Sequence, residues 1–349
     1  MTVYDAHQSD SDDDVFEYSM SLKKAKELLK NPRSRQVITL ASCGKRVGVC
    51  EVGDPNGFPV LWFTGICLHS LTHSGNMGPA MSILLYHKIS KRHHIRLISV
   101  DRPGYNDSDD IYSQPGVPDL FEFADMINEL TLILKMWQFG FVTFSLGAVY
   151  GLAYSLNFPE RIKGPIFMIS PWLSTSTPGH LRYYKSIAKF APNFLIRTTL
   201  STLPHMNNFF NMWSTLGFSS RSTSSSVDED SELSDENLGY TISMGRSYIH
   251  KEIYANGLWN LQNRTGAHID AMVALEKVEW DFRYEDTVYP VEAYVGDEDD
   301  NVPLQAWLHM SNRMSNVKLN VVEGGGHYLL YRMDFMEDLF TNIEKVFNI

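Results

Sequence analysis

The sequence predicts an α/β fold: a mostly parallel sheet with helices on both faces and an inserted helical cap. Three observations carry this. Uninterrupted apolar runs, "PVLWFTG" (59–65), "IRLISVD" (95–101), "FGFVTF" (139–144) and "GPIFMIS" (164–170), read as strands buried on both faces, and they alternate with segments of helical period. Polar residues able to do chemistry stand directly after those runs, where open parallel sheets form their crevices. The alternation then stops from Pro171 to about Tyr289, a span with breaks at Pro178, Pro192 and Pro204 and no clear buried strand. A gap that long between two sheet strands is an insertion, not a connection.

Taken in order, the elements fall as follows. Residues 1–35 are an acidic N-terminal segment with a short helix. "DSDDD" (10–14) precedes Phe16–Lys30, where Leu22, Ala25, Leu28 and Leu29 oppose Lys23, Lys24, Lys26, Glu27 and Lys30 until Asn31-Pro32 ends the pattern. Gln36–Ala41 and Arg46–Val52 read as a strand pair around Gly44, and "PVEAYVG" (290–296) and "VKLNVVEG" (317–324) as the late strands. Helical patterns cover 119–136, 146–157, 303–314 and 333–347. The expected organisation is a sheet domain of 36–170 and 283–349, with a cap of 171–282 that contains a Ser/acid-rich loop over 219–238. That loop and the acidic start have almost nothing apolar to bury, so they are expected to be solvated and disordered. Ser9, Ser11, Ser231 and Ser234, set among acids, are candidate phosphorylation positions.

Composition excludes several classes. A net charge of −11 over 349 residues argues against nucleic acid as a partner. No window approaches the roughly 18 uncharged apolar residues of a membrane span, so no integral membrane segment is expected. The acidic first residues do not form a secretory signal, which points to the cytoplasm. Three cysteines, Cys43, Cys50 and Cys67, without any C-x-x-C predict neither a disulfide framework nor a metal site, and no cofactor motif is present.

Five features stand at strand ends: Thr64-Gly65-Ile66, Asp101-Arg102-Pro103-Gly104, Ser145 in "FSLGA", Asp299 in "GDEDDNVP" and His327 in "GGGHYLL". Ser, Asp and His in that order, each just past a strand, suit nucleophilic catalysis. A serine hydroxyl needs a base to take its proton, a histidine can serve, and a carboxylate fixes the imidazole tautomer. Asp297, Glu298 and Asp300 compete with Asp299 by proximity.

From about Gln36 to its end the chain resembles the α/β-hydrolase superfamily. It is nearest to the capped group that includes proline iminopeptidase-like and epoxide hydrolase-like enzymes. "VGDPNGFPVLWFTG", "DRPGYNDSD", "FSLGAVYGLAYSLNFPERIKGPIFMISP", "GDEDDNVP" and "GGGH" carry the likeness in that family's order. The resemblance implies Ser145 as nucleophile, His327 as base and Asp299 as acid, chosen by G-x-x-D-x-x-V-P. It implies the backbone N–H groups of Ile66 and Leu146 as oxyanion donors. Epoxide hydrolases and dehalogenases have an Asp nucleophile; a Ser at 145 points to ester-type chemistry.

Two departures stand out. The usual His-Gly after the first strand is Thr64-Gly65, and the first Gly of G-x-S-x-G is Thr143, whose β-branched side chain is expected to crowd the turn. The leading expectation is a serine hydrolase that cleaves an ester, thioester or amide of an apolar small molecule through an acyl-enzyme. Phe209 and Trp213, in an aromatic-rich cap, are candidate substrate contacts. Two alternatives are a hydrolase-fold binding or receptor-like protein and an aminopeptidase. The latter needs cap acids for a substrate ammonium, with Glu252 and Glu276 as candidates. Nothing in the sequence sets the oligomeric state.

Overall fold

The computed structural model describes residues 2–4, 28, 30–66, 79–114, 117–196 and 265–348. The described strands are β1 (Thr2–Tyr4), β2 (Gln36–Thr39), β3 (Arg46–Gly53), β4 (Phe58–Phe63), β5 (Ile95–Val100), β6 (Phe139–Phe144), β7 (Ile162–Ile169), β8 (Val291–Gly296) and β9 (Val317–Val322). They form one sheet in the order β1-β9-β8-β7-β6-β4-β5-β3-β2. β2–β3 and β3–β5 are antiparallel and every other pairing is parallel. The α/β architecture read from the sequence is therefore the observed one, and β6, which leads into Ser145, lies at the middle of the sheet.

Helices cover both faces because alternate strand residues point to opposite sides. Leu61, Phe63, Phe139 and Phe141 pack against α2 (Leu120–Ile133), α3 (Gly147–Asn157), α5 (Thr265–Ala274) and α6 (Leu304–Ser311). Val60, Trp62, Val142 and Phe144 belong to the second core, with α1 (His87–Arg92) and α7 (Met333–Phe347). Local chemistry sets the boundaries. The Asp119 carboxylate accepts from the N–H groups of Phe121 and Glu122 at 2.8 and 3.0 Å and so caps α2. At the other extreme of the chain, α7 stops at Asn348 in the left-handed region, φ 53°. Gly44, φ +69°, turns β2 into β3 as expected.

Two elements escaped the sequence reading. Residues 1–35 were expected to hold only acids and a helix, yet Thr2–Tyr4 pairs parallel with Asn320–Val322 as an edge strand. Three residues are too few to show a period of two. The 3-10 helix Pro79–Tyr86, which runs into α1, is apolar nearly throughout and so shows no periodicity either. Between β7 and β8 the described residues contain α4 (Arg182–Phe190) and α5, and no strand. The loop 219–238, the four candidate phosphorylation serines, Cys67, Phe209, Trp213 and Glu252 lie outside the described residues, as does the expected helix 16–30 apart from Leu28 and Lys30. No helix among the described residues is long and apolar enough to cross a membrane.

Candidate active site

Ser145 follows β6 with φ +49°, a left-handed conformation that costs a serine about 1–3 kcal/mol unless its surroundings enforce it. They do. Its N–H donates to Ile169 O at 3.0 Å, and its carbonyl accepts from Ala148 and Trp172 N–H, both at 3.0 Å. Two glycines leave the necessary room. A Cβ on Gly147 would meet Phe63 O at 2.4 Å, and one on Gly65 would meet Ser145 Cβ at 2.6 Å. The expected crowding at Thr143 is absorbed one helical turn away: its Cγ2 fills space that a Cβ on Gly151 would enter at 2.7 Å. Thr143 Oγ1 is buried without a partner among the described residues.

His327 and Asp299 come from the loops after β9 and β8. Those loops touch closely, because a Cβ on Gly296 would sit 1.9 Å from Gly325 O. His327 Nε2 lies 3.0 Å from Ser145 Oγ, and Nδ1 lies 2.8 and 3.1 Å from the two Asp299 oxygens. A carboxylate only accepts, so Nδ1 carries the proton and Nε2 is left to accept from the serine hydroxyl. Asp299 Oδ1 also accepts from Asn301 and Val302 N–H at 2.9 and 2.8 Å, which fixes the carboxylate. Ser145, Asp299 and His327 are 4%, 5% and 6% exposed, whereas Asp297, Glu298 and Asp300 all point to solvent. Phe144 and Tyr328 flank the imidazole at ring-centroid distances of 5.5 and 5.4 Å.

The N–H groups of Leu146, at the N-terminus of α3, and of Ile66 have no hydrogen-bond partner among the described residues. A helix N-terminus favours developing negative charge. A hydroxyl that can pass its proton to an imidazole, beside two free donors, can attack an acyl carbon and shelter the oxyanion formed. Among the described residues no group of three or more His, Cys, Asp or Glu stands at metal-binding spacing.

Other expected contributors are placed differently. Glu276 accepts from Ser174 Oγ, Thr175 N–H and Thr175 Oγ1 at 2.8, 2.8 and 2.7 Å, so its carboxylate braces the Ser174–Thr175 turn. The sequence reading missed His180, whose ring packs edge-on to Trp172 at 5.1 Å. Burial pushes this imidazole down to about 4, against the opposing pull of Glu276 and Asp299, so it is neutral at pH 7. It also missed Asp270, which pairs with Arg102 behind the Thr64–Gly65 turn. No local spacing signals that partnership, since 168 positions separate the two.

A family model described as alpha/beta hydrolase fold matches residues 66–332. No curated protein matches the sequence. Among solved structures, an esterase from Exiguobacterium antarcticum aligns with TM-score 0.56 at 18% identity, covering 89% of this chain and 99% of its own. A structure from work on carboxylesterases of the ammonia-oxidizing thaumarchaeon Nitrososphaera gargenis aligns with TM-score 0.53 at 15% identity, covering 90% of this chain and 99% of its own. An epoxide hydrolase from Vigna radiata aligns with TM-score 0.55 at 18% identity, covering 90% and 97%. At such identities the likeness concerns the fold.

Proposed function

Because the chain belongs to the α/β-hydrolase fold family, we propose that it is a serine hydrolase cleaving a carboxylic ester of an apolar small molecule through an acyl-enzyme. The observation that carries this reading is the unbroken hydrogen-bond chain from Ser145 through His327 to Asp299. Ser145 Oγ attacks the ester carbonyl while its proton moves to His327 Nε2. The oxyanion is held by the Leu146 and Ile66 N–H groups, whose removal singly is worth about 10²-fold or more in comparable sites. His327 then returns the proton to the departing alkoxide, leaving an acyl-Ser145. Water attacks that acyl group with His327 again as base, and the carboxylic acid leaves. Asp299 keeps the proton on Nδ1 throughout and stabilises the imidazolium.

Ser at position 145, where epoxide hydrolases have Asp, favours the ester chemistry. Apolar selectivity rests on the aromatic-rich sequence of the proposed cap, with Phe209 and Trp213 as contacts. Labelling with a fluorophosphonate probe tests the nucleophile: wild type should react and Ser145→Ala should not. An unlabelled wild type would replace this reading with a binding protein. With p-nitrophenyl esters, kcat/KM should rise from acetate to medium chains, and a monotonic preference for acetate would remove the apolar-substrate part.

A further inference from the structure

Behind the Thr64–Gly65 turn lies an ion pair that the proton-transfer chain does not use. Arg102 and Asp270 are 1% and 0% exposed. Arg102 Nε and Nη2 donate to the two Asp270 oxygens at 2.9 and 2.5 Å. The Tyr105 and Tyr150 hydroxyls donate to the same carboxylate at 2.8 and 2.9 Å. The remaining guanidinium donors reach two consecutive carbonyls of the turn: Nη1 to Thr64 O at 2.5 Å and Nη2 to Gly65 O at 3.0 Å.

As a stabilising device such a pair is poor, because taking both charges out of water offsets most of their attraction. Its geometry has a more specific consequence. A trans peptide is a rigid plane, so the carbonyl of Gly65 and the N–H of Ile66 point in opposite directions. Holding Gly65 O from one side therefore fixes the Ile66 N–H on the other. That N–H has no hydrogen-bond partner among the described residues, and Gly65 itself lies against Ser145. The planar fork of arginine can serve a carboxylate and two carbonyls together, which a lysine ammonium cannot.

We propose that Arg102, itself set by Asp270, is a positioning residue that orients the Ile66 N–H toward the oxyanion formed at Ser145. Asp270 belongs to α5, within the stretch expected to form the cap, and Gly266 N–H on the same helix donates to Gly104 O at 2.9 Å. The rotation of the oxyanion peptide thereby depends on a helix far along the chain. The inference rests on the serine-hydrolase reading.

The test compares wild type with Arg102→Lys, using medium-chain p-nitrophenyl esters and active sites counted by fluorophosphonate titration. Inhibition is measured with an alkyl trifluoromethyl ketone, which forms an oxyanion on the serine, and with its carbinol, which does not. The expected result is a fall of about 10²-fold in kcat per titrated site, with KM and carbinol affinity within about threefold and ketone affinity falling in parallel. A merely structural pair would lower the melting temperature while kcat per titrated site and ketone affinity stayed at wild-type levels, and that result overturns the inference. If Arg102→Lys does not fold, Tyr150→Phe decides. It loosens Asp270 and keeps the ring against the guanidinium, so kcat per site and ketone affinity should fall together by about three- to tenfold; no change in either overturns the inference. A wild type that neither labels nor turns over ester would instead mean that the serine-hydrolase reading itself has failed.

Discussion

His327 and His93 are equally buried, each 6% exposed, and each has both ring nitrogens engaged. They stand at opposite ends of the strands: His327 in the loop beyond the carboxyl end of β9, His93 just before the amino end of β5. His327 has a hydroxyl on Nε2 and one carboxylate on Nδ1. His93 has a carboxylate on each, Glu344 at 2.6 Å from Nδ1 and Glu337 at 2.9 Å from Nε2. Two carboxylates accept and do not donate, so this pairing favours the imidazolium form of the ring. The Glu337 hydrogen bond, aided by Glu344 and opposed by burial, raises its pKa above the ordinary value. A cation without a lone pair cannot be a base. Burial and hydrogen bonding do not by themselves identify a catalytic histidine; the kind of partner does.

The largest expected effects break this comparison outright. Ser145→Ala and His327→Ala should each lower ester turnover by about 10³-fold or more, since the chain acts as a unit. His93→Gln should leave kcat near wild type, and a comparable loss there would refute the contrast. Asp299→Asn permits the wrong tautomer of His327 and should reduce kcat by about 10²- to 10⁴-fold. Asp297→Asn, at an exposed position, should do little. If the Asp297 change proved the more damaging in steady-state kinetics, the acid would have to be reassigned.

A smaller effect tests how tightly the carboxyl end is built. Gly151→Ala places a methyl 2.7 Å from the stiff Thr143 side chain, an overpacking that costs about 1–3 kcal/mol in urea unfolding. Thr143→Ser in the same chain, which removes Cγ2, should recover most of that loss. Full stability in Gly151→Ala alone would show that the turn has slack.

The smallest effect concerns the amino end. Because the folded pKa of His93 is raised, its contribution to stability is complete below the unfolded value of about 6.5 and is lost as pH rises through the folded pKa. His93→Gln should therefore lower the melting temperature most at pH 6, with the difference from wild type shrinking toward alkaline pH. His180 has the opposite dependence. It is buried neutral with its pKa pushed down to about 4, so its contribution is present above about 6.5 and lost as pH falls toward 4.

The alternation of strands and helices, the places where Ser145 and His327 leave the sheet, and the long stretch of chain between β7 and β8 are legible in the amino-acid sequence alone. These are local properties. Apolar periods of two and 3.6 are written in neighbouring residues, and a polar residue directly after an apolar run marks a strand end whatever the rest of the chain does. Among four adjacent acids a spacing pattern could favour Asp299, but only the loops after β8 and β9 decided which carboxylate meets the imidazole. Tertiary structure alone paired Arg102 with Asp270, added Thr2–Tyr4 to the sheet edge, let Gly151 make room for Thr143, and set a hydroxyl against one histidine and a second carboxylate against the other. Each of these joins residues far apart in sequence or depends on backbone geometry at a loop. No local period encodes either, because the contact exists only once the sheet has brought its strand ends together.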